Sequence, residues 1–265
     1  MFDSTPPASK RSRGSPISGY IFRMTIISLF GSGEFMPWAA GVDRWCVENA
    51  SASNGRVLVC PTASAPEGES TFTRWANMGV EHYRSLGFSP EVLEVRTRAD
   101  AERSSNAALI EDAALIFFSG GNPGYLADTL RDTPVWSAIL AALANGTALG
   151  GCSAGAAAFG VKTFWVEGEG IGRWVPGLDL LDRAFVLPHF DQLDHYTPGL
   201  RRKLMKERPR GAVLLGVDEN TAIYGRDGAW SVAGEGGAWV GEGQEELTAY
   251  RDGDTPLVRL GLALG

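Results

Sequence analysis

From residue 25 onward the chain alternates short, continuously apolar runs with longer segments whose apolar residues recur every three to four positions. Runs with no polar face read as strands buried on both sides, and the longer recurrence reads as helices packed against them. The predicted strands are residues 25–30 (TIISLF), 56–60 (RVLVC), 91–95 and 114–118 (ALIFF), with a fifth running from Ala148 into a turn at Gly151. Residues 38–49, 67–86, 125–130 and 135–144 are the predicted helices. The second carries Phe72, Trp75, Val80, Tyr83 and Leu86 at helical spacing and stops at Gly87. Strands alternating with helices imply an α/β fold with a mostly parallel sheet covered by helices on both faces. In such sheets a site lies at the carboxyl ends of the strands. Three of those ends are rich in glycine and small residues: Gly31-Ser32-Gly33, Ser119-Gly120-Gly121-Asn122 and Gly151-Cys152-Ser153-Ala154-Gly155.

The pattern changes after Ala222, where short apolar runs are separated by Asp-Gly and Gly-Gly turns. These predict β-hairpins and a β-rich C-terminal part, with Trp230 and Trp239 as packing residues. No linker interrupts the chain, so residues 24–265 read as one domain. Residues 1–23 stand apart. They are rich in Ser, Pro and Gly, and carry Lys10, Arg11, Arg13 and Arg23 against a single acid, Asp3. They lack the apolar stretch of a secretory signal and read as a disordered tail or a misassigned start upstream of Met24.

Composition narrows the functional classes. The whole chain carries a net charge of −7 despite its basic tail, so the part that follows the tail is the acidic one, which disfavours nucleic acid and anionic membranes as partners. No apolar run approaches the roughly 18–20 residues that span a bilayer. Three dispersed cysteines, Cys46, Cys60 and Cys152, argue against a disulfide framework and for a cytoplasmic, reducing location. With neither C-x-x-C nor H-E-x-x-H present, neither a metal nor an organic cofactor is expected.

The Gly151-x-Ser153-x-Gly155 segment carries the chemistry. A strand running into G-x-S-x-G and out through small, helix-favouring residues is the nucleophile-elbow pattern, which holds a serine oxygen proud of a sheet. The helix that follows aims its first amides where an oxyanion would form. A serine alcohol needs a base within hydrogen-bond reach and a carboxylate to orient that base. Of three histidines, His82 falls on a predicted helix away from the site, and His195 in the polar stretch LDHYTPG, which reads as a solvated loop. His189 ends an apolar run and is preferred. For the acid, Glu219 is favoured, with Asp218 and then Asp191 in reserve; Asp191 would share a face with His189 on an extended strand.

Four segments then occur in a telling order: Gly120-Gly121-Asn122, Gly151-x-Ser153-Ala154-Gly155, Pro188-His189-Phe190 and Gly216-Val217-Asp218-Glu219-Asn220-Thr221-Ala222. In order and spacing they resemble the S51 serine peptidases, a family that includes aspartyl dipeptidase and cyanophycinase and has a class I glutamine-amidotransferase-like fold. The resemblance runs from about residue 25 to 223. It implies Ser153 as nucleophile, His189 as general base, Glu219 as the orienting acid, and the amides of Gly121 and Ala154 as the oxyanion hole. It further implies an exopeptidase or dipeptidase acting on short peptides or free termini. Asn122, Arg173, Arg201 and Arg202 are the candidate substrate contacts, the arginines as partners for a carboxylate.

Departures from either named activity keep the expectation at the level of the family. Asn122 is followed by Pro123 where peptidase E members carry Thr. The run after His189-Phe190 is Asp-Gln-Leu-Asp-His-Tyr where the cyanophycinase branch is arginine-rich. Three alternatives remain: hydrolysis of β-Asp-Arg peptides, a non-catalytic binding homologue, and a cysteine-dependent amidotransferase-like enzyme. The last reads the turn one residue earlier, with Cys152 at its apex, and loses the glycine after it. In the preferred register Cys152 faces the core. The sequence leaves the oligomeric state open, with a homodimer as one option.

Overall fold

The computed structural model describes residues 25–168, 170–242, 246–256 and 258; the expected tail over residues 1–23 lies outside them. Five strands pair in parallel: β1 (Ile26–Phe30), β2 (Arg56–Cys60), β3 (Ser89–Val92), β4 (Leu115–Phe118) and β5 (Ala148–Cys152). Apart from β3 and Arg56 they are buried along their whole length, as expected where helices cover both faces. The helices of this half are α1 (Ala40–Asn49), α2 (Glu69–Ser85), α3 (Arg98–Ala101), α4 (Ser104–Ala108), α5 (Pro123–Leu130), α6 (Pro134–Ala144) and α7 (Ala154–Ala158). Strand side chains alternate between two cores. Ile26, Phe30, Val57, Val59 and Phe117 meet Val42, Cys46 and Tyr83 of α1 and α2. Ile27, Leu29, Leu58, Ile116 and Leu149 meet Leu126, Leu130, Ile139 and Ala156 of α5, α6 and α7.

One strand differs from its expected position. The third strand was expected at 91–95, but the paired residues are Ser89–Val92. β3 is an edge strand containing Pro90, and edges tolerate a residue that cannot donate to the ladder. Leu93 and Val95, which supplied the apolar signal, are buried as the chain leaves the sheet.

The remainder forms β6 (Lys162–Glu167), β7 (Gly170–Pro176), β8 (Ala184–Leu187), α8 (Leu193–Tyr196), α9 (Leu200–Lys206), β9 (Val213–Val217), β10 (Thr221–Arg226), β11 (Ala229–Gly234), β12 (Ala238–Gly241) and β13 (Thr248–Tyr250). Strand order in the main sheet is β11-β10-β1-β5-β4-β2-β3, with β10 and β11 antiparallel. A second sheet has the order β13-β12-β9-β8, and β6 and β7 pair as a separate hairpin. The β10–β11 turn falls at Asp227-Gly228, one of the Asp-Gly signals. The second sheet, the β6–β7 hairpin and α8–α9 were not anticipated, and LDHY is a helical turn where a loop was expected. The passage from β9 to β10, residues 218–220, carries the chain from the second sheet into the first.

Candidate active site

Ser153 sits in the turn between β5 and α7 with φ +51° and ψ −111°, a conformation costly for any residue with a side chain. Glycines make the turn possible. At Gly155 a Cβ would stand 2.3 Å from the Phe118 carbonyl oxygen, so α7 can lie against the end of β4 only because that atom is missing. The Ser153 amide is held by the Phe30 carbonyl at 3.0 Å, which ties the turn to β1.

His189 follows β8 and also has a positive φ, +50°. Its ring reaches back across the gap between the two sheets. Nε2 accepts from the Ser153 hydroxyl at 2.9 Å, and Nδ1 donates to Glu219 Oε1 at 2.8 Å. The tautomer that makes both bonds carries its proton on Nδ1. Glu219 belongs to the β9–β10 passage and is followed by Asn220 at φ +49°. Three segments distant in sequence thus converge, with the alcohol on one sheet, the imidazole on the other and the carboxylate on the link between them.

The reserve acids have other partners. Asp218 is buried; its Oδ2 accepts from the Gly237 amide and its Oδ1 from the Trp239 indole, both at 2.8 Å. Burial pushes its carboxyl above the usual aspartate range, although those two donors and Arg251 favour its charge. Asp191 does not share a face with His189, because the left-handed turn at His189 ends the extended geometry that expectation required. Its Oδ1 instead accepts from the Glu219 amide at 2.8 Å and so holds the segment that carries Glu219.

Beside the serine, the loop after β4 is pressed against the segment after β2. Gly121 has φ +137°, and a Cβ there would lie 2.4 Å from the Ala63 carbonyl, so no other residue fits without moving the backbone. The Asn122 amide donates to Ala63 O at 2.8 Å. Ala154 opens α7, where the first amides have no intrahelical acceptor. Asn122 is occupied structurally. It caps α5 through the Tyr125 amide, and its Nδ2 donates to the Val166 carbonyl at 2.9 Å, fastening the β6–β7 hairpin.

Two acidic or phenolic groups at the site escaped the sequence reading. Glu34, only 5% exposed, lies under the turn: Oε1 accepts from the Gly120 amide at 3.1 Å and Oε2 from the Cys152 thiol at 2.8 Å. Its signal was a carboxylate one residue beyond the glycine loop that ends β1. Tyr196 donates to Glu219 Oε1 at 3.1 Å and stands beside the His189 ring; burial, then Glu219, pushes its phenol up to about 12. No pattern in the sequence marks it. Cys152 is fully buried and faces Glu34, and burial followed by that carboxylate drives its thiol far above the ordinary range. His195 lies exposed on α8, and His82 is bonded to buried Asp43 at 2.8 Å on α2, away from the serine.

A cavity of about 530 Å³ opens at Ser153, His189, Gly121 and Ala154, within the size range of small-molecule sites. Its walls come from the β6–β7 hairpin, α8 and α9. Arg173, Arg201 and Arg202 are not among the lining residues. Arg173 pairs with Asp128 at 3.3 Å and stacks on Trp165 at 4.6 Å, and Arg201 pairs with Asp194 at 3.0 Å. The cation that does line the cavity is Lys203. On α9, Leu200, Lys203 and Leu204 share one face, while Arg201 and Arg202 fall elsewhere. Among the described residues no cluster of His, Cys, Asp or Glu could hold a metal ion, and no helix is long and apolar enough to cross a membrane.

Comparison with known proteins adds the lineage. The chain is similar to the cyanophycinase of Trichormus variabilis, at 29% identity over 82% of this chain and 73% of that protein. It is similar at 28% identity to the cyanophycinase of Geminocystis herdmanii, over 74% of this chain and 72% of that one. A crystal structure of a peptidase from an acI-B1 Actinobacterium superposes with a TM-score of 0.79 and 30% identity, covering 89% of this chain and 98% of that one. The model of peptidase family S51 matches residues 27–232, which takes in Ser153, His189 and Glu219 and stops short of β12 and β13. With that match and the helix-flanked parallel sheet together, the chain belongs to peptidase family S51 and is a serine-type peptidase.

Proposed function

We propose that Ser153, His189 and Glu219 form the catalytic triad of an exopeptidase or dipeptidase that hydrolyses short peptides through an acyl-enzyme. The observation that supports this most is the unbroken relay from the Ser153 hydroxyl through His189 to Glu219, at 2.9 and 2.8 Å. His189 takes the serine proton as Oγ attacks the carbonyl carbon. The amides of Gly121 and Ala154 receive the oxyanion. The imidazolium, stabilised by Glu219, then protonates the leaving amine, and water reverses the sequence on the ester. Tyr196 adds a second donor to Glu219 and keeps its proton throughout the working range, since its phenol titrates near 12. Preference for short substrates is supported by the size of the cavity, about 530 Å³. A cytoplasmic location belongs to the same reading and rests on three free cysteines.

Ser153→Ala is expected to lower kcat at least about 10⁴-fold, by analogy with other triads, while leaving the melting temperature within a few degrees. A serine-reactive phosphonate should add its mass to the wild-type chain at Ser153 and not to the variant. Undiminished turnover in Ser153→Ala refutes the assignment. A second reading, cleavage of β-Asp-Arg peptides, is favoured by the relatives that carry the name cyanophycinase. Hydrolysis of β-Asp-Arg measured beside ordinary dipeptides separates the two.

A further inference from the structure

The cavity beside Ser153 is built for a particular kind of peptide. Phe164, Val166 and Ile171 of the β6–β7 hairpin, Leu193 of α8, and Leu200 and Leu204 of α9 form its walls. Among the described residues no carboxylate lines it, so a guanidinium or ammonium side chain entering there would leave water without a compensating charge. An aspartate side chain would meet the same apolar walls. Lys203 is the one permanently charged lining group among the described residues, and its ammonium has no carboxylate partner among them. Its place between Leu200 and Leu204 on the same helix face puts a positive charge at the border of a mainly apolar surface.

Resting on the Ser153 reading above, we propose that the enzyme takes short peptides with an aliphatic or aromatic side chain beside the cleaved bond, and that Lys203 receives a carboxylate of the same substrate. The apolar walls select the side chain by burial. The ammonium selects length, because it lines the same cavity of about 530 Å³ as Ser153. Lys203 is a specificity residue and takes no part in proton transfer.

The test is a hydrolysis panel of Leu-Leu, Phe-Leu, Asp-Leu and β-Asp-Arg, together with Leu-Leu-amide and Leu-Glu-amide, on wild type, Lys203→Gln, Lys203→Glu and Lys203→Arg. Leu-Leu and Phe-Leu are expected to exceed Asp-Leu in kcat/KM by on the order of tenfold or more. Leu-Leu should exceed its amide by about tenfold, mainly through KM. That advantage should collapse towards unity in Lys203→Gln, invert in Lys203→Glu and return in Lys203→Arg. Recovery by Leu-Glu-amide would assign the carboxylate to a side chain, and its absence to the chain terminus; either supports the site. Ser153 labelled by the phosphonate, with Asp-Leu or β-Asp-Arg the better substrate or the acid-to-amide ratio unmoved in Lys203→Gln, overturns the specificity alone. No labelling and no hydrolysis of any peptide overturns the triad reading with it.

Discussion

Ser153 and Cys152 are neighbours in sequence with opposite surroundings. The serine hydroxyl opens into the cavity; the thiol faces the core, donates to Glu34 and is held neutral by burial. A thiol that is neither ionised nor accessible is a poor nucleophile. Iodoacetamide at neutral pH should therefore leave activity within about twofold of the untreated enzyme, with Cys152 unmodified in the native protein by peptide mass mapping. Glu34 has the larger consequence. It joins the Gly120 amide to Cys152, and the residues next to these are Gly121 and Ser153. Glu34→Ala would release both and leave a buried amide without its acceptor. A fall of about ten- to a hundredfold in kcat is expected, with little change in KM, from single-turnover and steady-state rates on the same substrate.

At the scale of elements, the β5–α7 turn shows what sequence can carry. Gly151-x-Ser153-x-Gly155 was readable because each glycine answers a clash that any Cβ would create. Gly155→Ala should lower stability by about 2 kcal/mol through overpacking against β4, and lower kcat with it, in thermal melts paired with assays. The central strands were equally readable, since burial on both faces leaves no polar alternation to confuse them. The β6–β7 hairpin was hidden for the opposite reason: its partly exposed residues give neither a continuous apolar run nor a clean alternation. On α9 the information was present but unread. Helical spacing sets Lys203 with Leu200 and Leu204, whereas the adjacent Arg201 and Arg202 drew attention by charge alone. Tyr196 lay beyond reach, because its contact with Glu219 depends on how α8 sits against the β9–β10 passage.

Across the whole molecule, the groups of the relay come from two sheets. Ser153 ends a strand of the seven-stranded sheet, His189 ends a strand of the four-stranded one, and Glu219 lies where the chain crosses between them. That crossing is anchored at Asp218 by the Trp239 indole from β12, a residue absent from the cavity lining. Trp239→Phe keeps most of the packing and removes the donor. It should cost about 2 kcal/mol and lower kcat several-fold with KM unchanged, as Glu219 loses its fixed position. The pH dependence has a definite sign. The raised pKa of Asp218 means that the fold favours its neutral form, so the linked stability is full below the ordinary aspartate range and falls as pH rises through the raised value. Without the indole the carboxylate is harder still to ionise. The melting-temperature gap between variant and wild type should therefore widen from acidic to neutral pH.

Ser153, His189 and Glu219 stand on turns fixed by the two sheets, whereas the cavity walls belong largely to a separate hairpin and two short helices. Floor and walls can therefore change at different rates over evolutionary time. Exchanges at Phe164, Ile171, Leu200 or Lys203 would redraw the diet of the enzyme without disturbing the machinery beneath, so descendants of one ancestor could part ways over what they digest while sharing an unchanged way of digesting it.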